Sequence, residues 1–182
     1  MKDINIISLD MEYNQPSNSI IQVGIAVGNL ATGDILETYS SYIFQDELIN
    51  PRITKLTGIA QEDVDLGDNL EWVYEHIKSL HKEFECFRNP LTWGGGDSND
   101  LRLALDIDEK SEENYLFGRR WIDVKTLFVS HCLAKDIKTQ SGLAKSMSRL
   151  GLKFEGKKHN ALDDAINTFK IYMELLERME DI

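Results

Sequence analysis

Five side chains in this sequence could do acid–base and metal chemistry together: Asp10 and Glu12 near the start, Asp97 in the middle, His159 and Asp164 near the end. Asp10 and Glu12 stand two apart at the end of an apolar run. Side chains of a strand alternate between faces, so both carboxylates point the same way. Two acids on one face repel each other unless a cation lies between them, although such a pair also occurs by chance on surface strands. His159-Asn160-Ala161-Leu162-Asp163-Asp164-Ala165 sets a histidine five residues before an aspartate, at the mouth of an apolar-periodic segment. Asn160 with Asp163 three residues later reads as a helix start, which gives Asp163 a structural task. Asp164 is left beside Leu162, Ala165 and Ile166, where an unpaired carboxylate is costly and a cation would relieve the cost. His159 follows Gly156-Lys157-Lys158 in a loop, where a lone histidine is more often simply solvated. Asp97 follows Trp93-Gly94-Gly95-Gly96. A helix-start acid accounts for it alone, and Asp100 competes for the same role. The glycines add the possibility of close approach by backbone or ligand.

Stepping from these residues to what must hold them, three apolar strands come first: residues 4–11, residues 20–28 and Ile35 to Phe44, with a turn at Thr32-Gly33-Asp34. Their short connections predict an antiparallel meander. Asn50-Pro51 opens a short helix that Gly58 closes. Leu70, Val73, Ile77, Leu80 and Phe84 recur at steps of three and four, predicting a longer helix. Asn89 to Gly94 reads as a strand, Asp97 to Leu105 as a helix, and residues 106–118 as a polar, acidic surface loop. Trp121 to Val124 reads as a short strand or helix entry, with helices over Thr126 to Ala134 and Ser141 to Leu150. Leu162, Ala165, Ile166, Phe169, Met173 and Leu176 form the apolar stripe of a final helix. The order βββ-α-β-α-β-α predicts an α/β fold, a mixed sheet flanked by helices. At 182 residues the expectation is one domain over residues 1–182.

The net charge of −11 opposes long-range steering of a polyanion. It does not exclude one, because bound divalent cations would dominate the field of the acids that hold them. No apolar run approaches the roughly 18 residues of a membrane span, and the first residues lack the features of a signal peptide. Cys86 and Cys132 have no metal-ligand spacing and read as reduced thiols of a cytoplasmic protein.

Taken in order, Leu9-Asp10-Met11-Glu12, Trp93-Gly94-Gly95-Gly96-Asp97-Ser98-Asn99-Asp100-Leu101 and His159 to Ala165 resemble the three motifs of the DEDDh 3′→5′ exonucleases. Asn50-Pro51 through Ile53-Thr54-Lys55-Leu56-Thr57-Gly58-Ile59 resembles that family's segment between the third strand and the first long helix. The similarity spans roughly residues 4–170, and the tryptophan–glycine lead into Asp97 resembles the ERI-1-like branch, which acts largely on RNA. The resemblance implies a ribonuclease-H-like fold with a mixed five-stranded sheet, the antiparallel meander extended by parallel strands. It implies Asp10, Glu12, Asp97 and Asp164 as ligands of two Mg²⁺ or Mn²⁺ ions and His159 as general base. The implied substrate is the 3′ end of single-stranded RNA or DNA, cut to nucleoside 5′-monophosphates. Met11, Tyr13, Leu56 and Ile59 are candidates to surround its terminal nucleotide, and Lys153, Lys157 and Lys158 to meet phosphates. Tyr13 departs from the family, which usually has threonine after the glutamate, and three glycines before Asp97 are a second departure. The rival expectation is a non-catalytic nucleic-acid-binding or interaction module on the same fold.

Overall fold

The structure is a computed structural model, which describes residues 3–107, 117 and 120–180. Its centre is a five-stranded sheet. The first three strands are β1 (Asn5–Tyr13), β2 (Ile20–Asn29) and β3 (Ile35–Tyr42), paired antiparallel as the expected meander. β4 (Leu91–Thr92) and β5 (Ile122–Asp123) add to the other edge in parallel, giving the order β3-β2-β1-β4-β5. The helices are α1 (Pro51–Thr57), α2 (Gln61–Asp65), α3 (Leu70–Glu83), α4 (Asp97–Ala104), α5 (Val124–Ala134), α6 (Leu143–Leu150) and α7 (Ala161–Glu180). The expected mixed α/β sheet with flanking helices is therefore present, and none of the described helices is long and apolar enough to cross a membrane.

Strand alternation divides the core. Ile7, Leu9 and Met11 of β1 join Val23, Ile25 and Val27 of β2 against Val73, Tyr74 and Ile77 of α3. On the opposite face, Ile6 packs with Phe128 of α5, Met147 of α6 and Phe169 and Ile171 of α7. Asp10 and Glu12 follow the even register of Ile6 and share its side of the sheet. Small residues of β2 open that side to α7. A Cβ on Gly24 would stand 2.1 Å from the backbone nitrogen of Leu162, and one on Gly28 would stand 2.2 Å from the Phe169 ring. Gly24 lies directly opposite Asp10 in the β1/β2 register. The glycine thus seats the first turn of α7 beside Asp10 of β1.

Several sequence expectations change in detail. β1 continues to Tyr13, so Asp10 and Glu12 sit within the strand and not at its end. α2 was not anticipated, because one turn carries too few residues to display a period. It is stapled by Asp63, whose carboxylate accepts from the Ala60 N–H at 2.8 Å. Of the expected surface loop over 106–118, residues 108–116 and 118 lie outside the described residues. Phe117 corrects that expectation at its own position: it is fully buried, edge-on to Tyr74, His81 and Trp121.

Candidate active site

Three elements place the four candidate acids. β1 supplies Asp10 and Glu12, the start of α4 supplies Asp97, and the first turn of α7 supplies Asp164. α7 begins at Ala161, whose N–H donates to the Gln22 side-chain oxygen at 3.1 Å. Gln22 faces Glu12 across the β1/β2 ladder, so the helix start is fastened next to that carboxylate. Asn160 completes the cap, accepting from the Asp163 N–H at 3.2 Å. Asp163 turns back to the preceding loop and accepts from the Lys157 N–H at 2.8 Å. The structural task expected of Asp163 is thus to hold this loop. His159 sits there with φ of 59°, in the left-handed region, and its own N–H donates to Asp164 Oδ2 at 3.2 Å.

The result is a convergence of distant chain segments. Ligand-type atoms of Glu12, His159 and Asp164 lie within 4.8 Å of one another. Asp10 is close enough to Asp164, Glu12 and Asp97 to be repelled by all three. Burial first, and then those neighbours, hold the Asp10 carboxyl well above the ordinary aspartate range. Burial and then Asp164 push Glu12 up to about 7. Asp164 rises to about 6 through burial, partly offset by the His159 N–H. Asp97 also rises to about 6, again through burial, offset in part by the Tyr13 hydroxyl.

A divalent cation fits this cluster on three counts. The donors are hard carboxylate oxygens, suited to Mg²⁺ or Mn²⁺. Burial raises the proton affinity of all four acids, and Asp10 is raised further by the other three, a penalty that a bound cation would relieve. Asp164 Oδ1 is buried with no hydrogen-bond partner among the described residues, although such an atom ordinarily has one.

Lining residues divide differently from expectation. Leu56 is 50% exposed, whereas Met11 and Ile59 are 4% and 2% exposed and belong to core clusters. Met11 is buried because it occupies the odd register, opposite Asp10 and Glu12. Tyr13 packs its ring against the α3-side core and donates its hydroxyl to Asp97 Oδ1 at 3.0 Å. Of the three lysines, Lys157 crosses to α1, its ammonium standing 2.0 Å from where a Cβ on Gly58 would be. Lys153 and Lys158 are exposed. The glycine run is anchored at its first member: the Gly94 N–H donates to Asp123 at 3.1 Å, and its carbonyl accepts from Thr92 Oγ1 at 2.9 Å. Sequence reasoning missed Gln22 and Gly24. Their signal was a polar and a side-chain-free residue on one face of an otherwise apolar strand.

With the geometry in place, comparison with known proteins decides the lineage. A family model described as an exonuclease, RNase T, matches residues 7–172. The chain belongs to this exonuclease family. Within it, the DEDDh motifs and the relatives place the chain near the ERI-1 branch. It is 27% identical over 166 residues to the 3′-5′ exonuclease Snipper of Drosophila melanogaster, covering 81% of this chain and 57% of that protein. It is 27% identical over 177 residues to human 3′-5′ exoribonuclease 1, covering 91% and 49%. The exonuclease chain thus spans about half the length of these relatives. Among solved structures, the nuclease domain of 3′hExo, a DEDDh family member bound to rAMP, superposes with a TM-score of 0.80 at 22% identity. That match covers 97% of this chain and 93% of the other, which establishes a shared ribonuclease-H-like fold.

Proposed function

We propose that this chain is a single metal-dependent 3′→5′ exonuclease domain, acting on the 3′ ends of RNA or single-stranded DNA and releasing nucleoside 5′-monophosphates. The observation that carries the reading is the meeting of Asp10, Glu12, Asp97 and Asp164 beside the exposed His159. These five come from three remote segments, and as a metal-free set they oppose their own folding. The exoribonuclease names of several relatives favour RNA.

Two Mg²⁺ or Mn²⁺ ions would be held by the four carboxylates. When bound, such ions neutralise phosphate charge and stabilise the attacking and departing oxygens of an in-line displacement. The chain's own groups do the rest. His159 is open to solvent beside Glu12 and Asp164 and accepts the proton of the attacking water. The new bond joins that water oxygen to phosphorus, and the bond to the 3′-oxygen of the preceding nucleotide breaks. The Asp164–His159 backbone contact fixes the loop that presents the imidazole. Half-exposed Leu56 offers apolar surface to the terminal base, and Tyr13 closes the Asp97 side. Cys86 and Cys132 are both buried and unpaired, which supports a reducing, cytoplasmic setting.

The test is digestion of matched 5′-labelled RNA and DNA oligonucleotides with Mg²⁺ or Mn²⁺. The expected result is a ladder shortening from the 3′ end, blocked by a 3′-phosphate and absent in Asp10→Ala and Asp164→Ala. Internal cleavage, or undiminished activity in both variants, would refute the assignment. Tight binding without turnover would make the chain a nucleic-acid-binding module.

A further inference from the structure

Tyr13 is where this chain departs from its family, and the departure has a partner. Its hydroxyl donates to Asp97 Oδ1 at 3.0 Å, across 84 residues of sequence. The β1/β2 register skips a residue between Glu12 and Tyr13, an irregularity of the kind that re-aims side chains next to active sites. The ring is held by the core cluster that also contains Leu101 of α4, so the same cluster grips both the donor and the helix that carries the acceptor. Within its own segment, the Asp97 carboxylate meets its own backbone N–H. Gly96 precedes it with φ of 128° and gives α4 no side-chain cap, and among the described residues nothing beyond its chain neighbours lies within 4 Å of where a Cβ on Gly95 would stand. The glycine run is tied at Gly94, three residues before the acid, and at the Gly96 carbonyl, which accepts from the Asn99 and Asp100 N–H groups of α4.

We infer that Tyr13 is the positioning residue for Asp97: its hydroxyl occupies one carboxylate oxygen and aims the other at a divalent cation. The inference rests on the proposed role of Asp97 as a ligand. Tyr13 stays a donor throughout the physiological range, because a phenol ionises only near pH 10 and burial with Asp97 alongside raises that further. The bond therefore acts as a fixed strut. It is the outer-shell hydrogen bond that ligating carboxylates need, whose loss typically costs ten- to hundredfold in metal affinity or activity. Threonine at this position, three heavy atoms beyond the backbone, could not span the same distance with its hydroxyl. The tyrosine thus adds a long-range strut from β1 to the local contacts at the start of α4.

The test is Mn²⁺ titration, by calorimetry and by the loss of the free-ion paramagnetic signal, on the parent, Tyr13→Phe, Asp97→Ala and the double variant. Tyr13→Phe keeps the ring and removes only the hydroxyl. The expected result is about a tenfold or greater weakening of one ion, with the Mn²⁺ concentration for half-maximal hydrolysis raised by the same factor. The KM for oligonucleotide should stay within about twofold. In the Asp97→Ala background, Tyr13→Phe should change nothing further. If Asp97→Ala loses an ion but Tyr13→Phe binds Mn²⁺ like the parent, the positioning role is overturned and the ligand role stands. If Asp97→Ala retains both ions, the ligand assignment itself fails. An equal Tyr13→Phe effect with and without Asp97 would make the tyrosine a general structural residue and overturn the inference.

Discussion

Glu12→Gln should stabilise the metal-free protein while destroying its metal response. Glu12 is raised from 4.5 to about 7 by burial and by Asp164. A carboxyl whose folded pKa lies above its unfolded value binds its proton more tightly in the native state. Its contribution is fully present below pH 4.5 and is lost as pH rises through about 7. At about 1.4 kcal/mol per unit, the full shift corresponds to roughly 3 kcal/mol. Partial solvent access and charge sharing with Asp164 reduce that to about 1–2 kcal/mol. For a chain of this size, that is about 3–6 °C in Tm. Glutamine keeps the shape and cannot ionise, so it is free of the penalty. Thermal melts in chelator should show Glu12→Gln above the parent by that margin at pH 8 and level with it at pH 4.5. Adding Mn²⁺ at pH 8 should then raise the parent's Tm and leave the variant's largely where it was. A variant that melts at or below the parent at pH 8, or that gains equally at both pH values, would refute the electrostatic account of the site.

The remaining predictions concern the elements that hold the acids. His159→Ala should lower turnover by about a hundredfold or more, the usual share of general acid–base catalysis, while calorimetric Mn²⁺ binding stays close to the parent's. Gly24→Ala should be severe, costing about 3 kcal/mol in chemical denaturation as an overpacked site, because its methyl group meets the backbone of α7. Gly28→Ala should cost less, since the Phe169 ring it meets is a side chain. Gly58→Ala combines a left-handed backbone, φ of 80°, with displacement of the Lys157 ammonium. It should cost about 1–3 kcal/mol and raise KM for oligonucleotide by loosening the loop that carries His159, read in steady-state kinetics.

Much of this arrangement is visible in the sequence because it is local. The two-residue spacing of Asp10 and Glu12 states that they share a face, and Ala165 and Phe169 of the expected stripe are indeed buried, although Leu162, Ile166, Met173 and Leu176 are only partly covered and the buried Ile171 and Leu175 lie outside it. Periodicity, however, reports whether a residue is covered and not by what. Nothing near Gln22 announces that its oxygen will accept from Ala161, 139 residues away. Nothing near Gly24 announces that a helix start will press on it. Phe117 was lost for the same reason: the acidic run earlier in its segment masks it, while its neighbours in space are Tyr74, His81 and Trp121. Met11 shows how one strand serves both ends at once. Its odd register binds the sheet to α3, and the even register on either side exposes Asp10 and Glu12 to α7. A one-residue slip of β1 would exchange these roles, sending the carboxylates into the α3-side core and the methionine into the acidic cluster. The apolar residues Ile7, Leu9 and Met11 therefore do more than stabilise the sheet. By setting its register against α3, they decide where the charge of the site can lie.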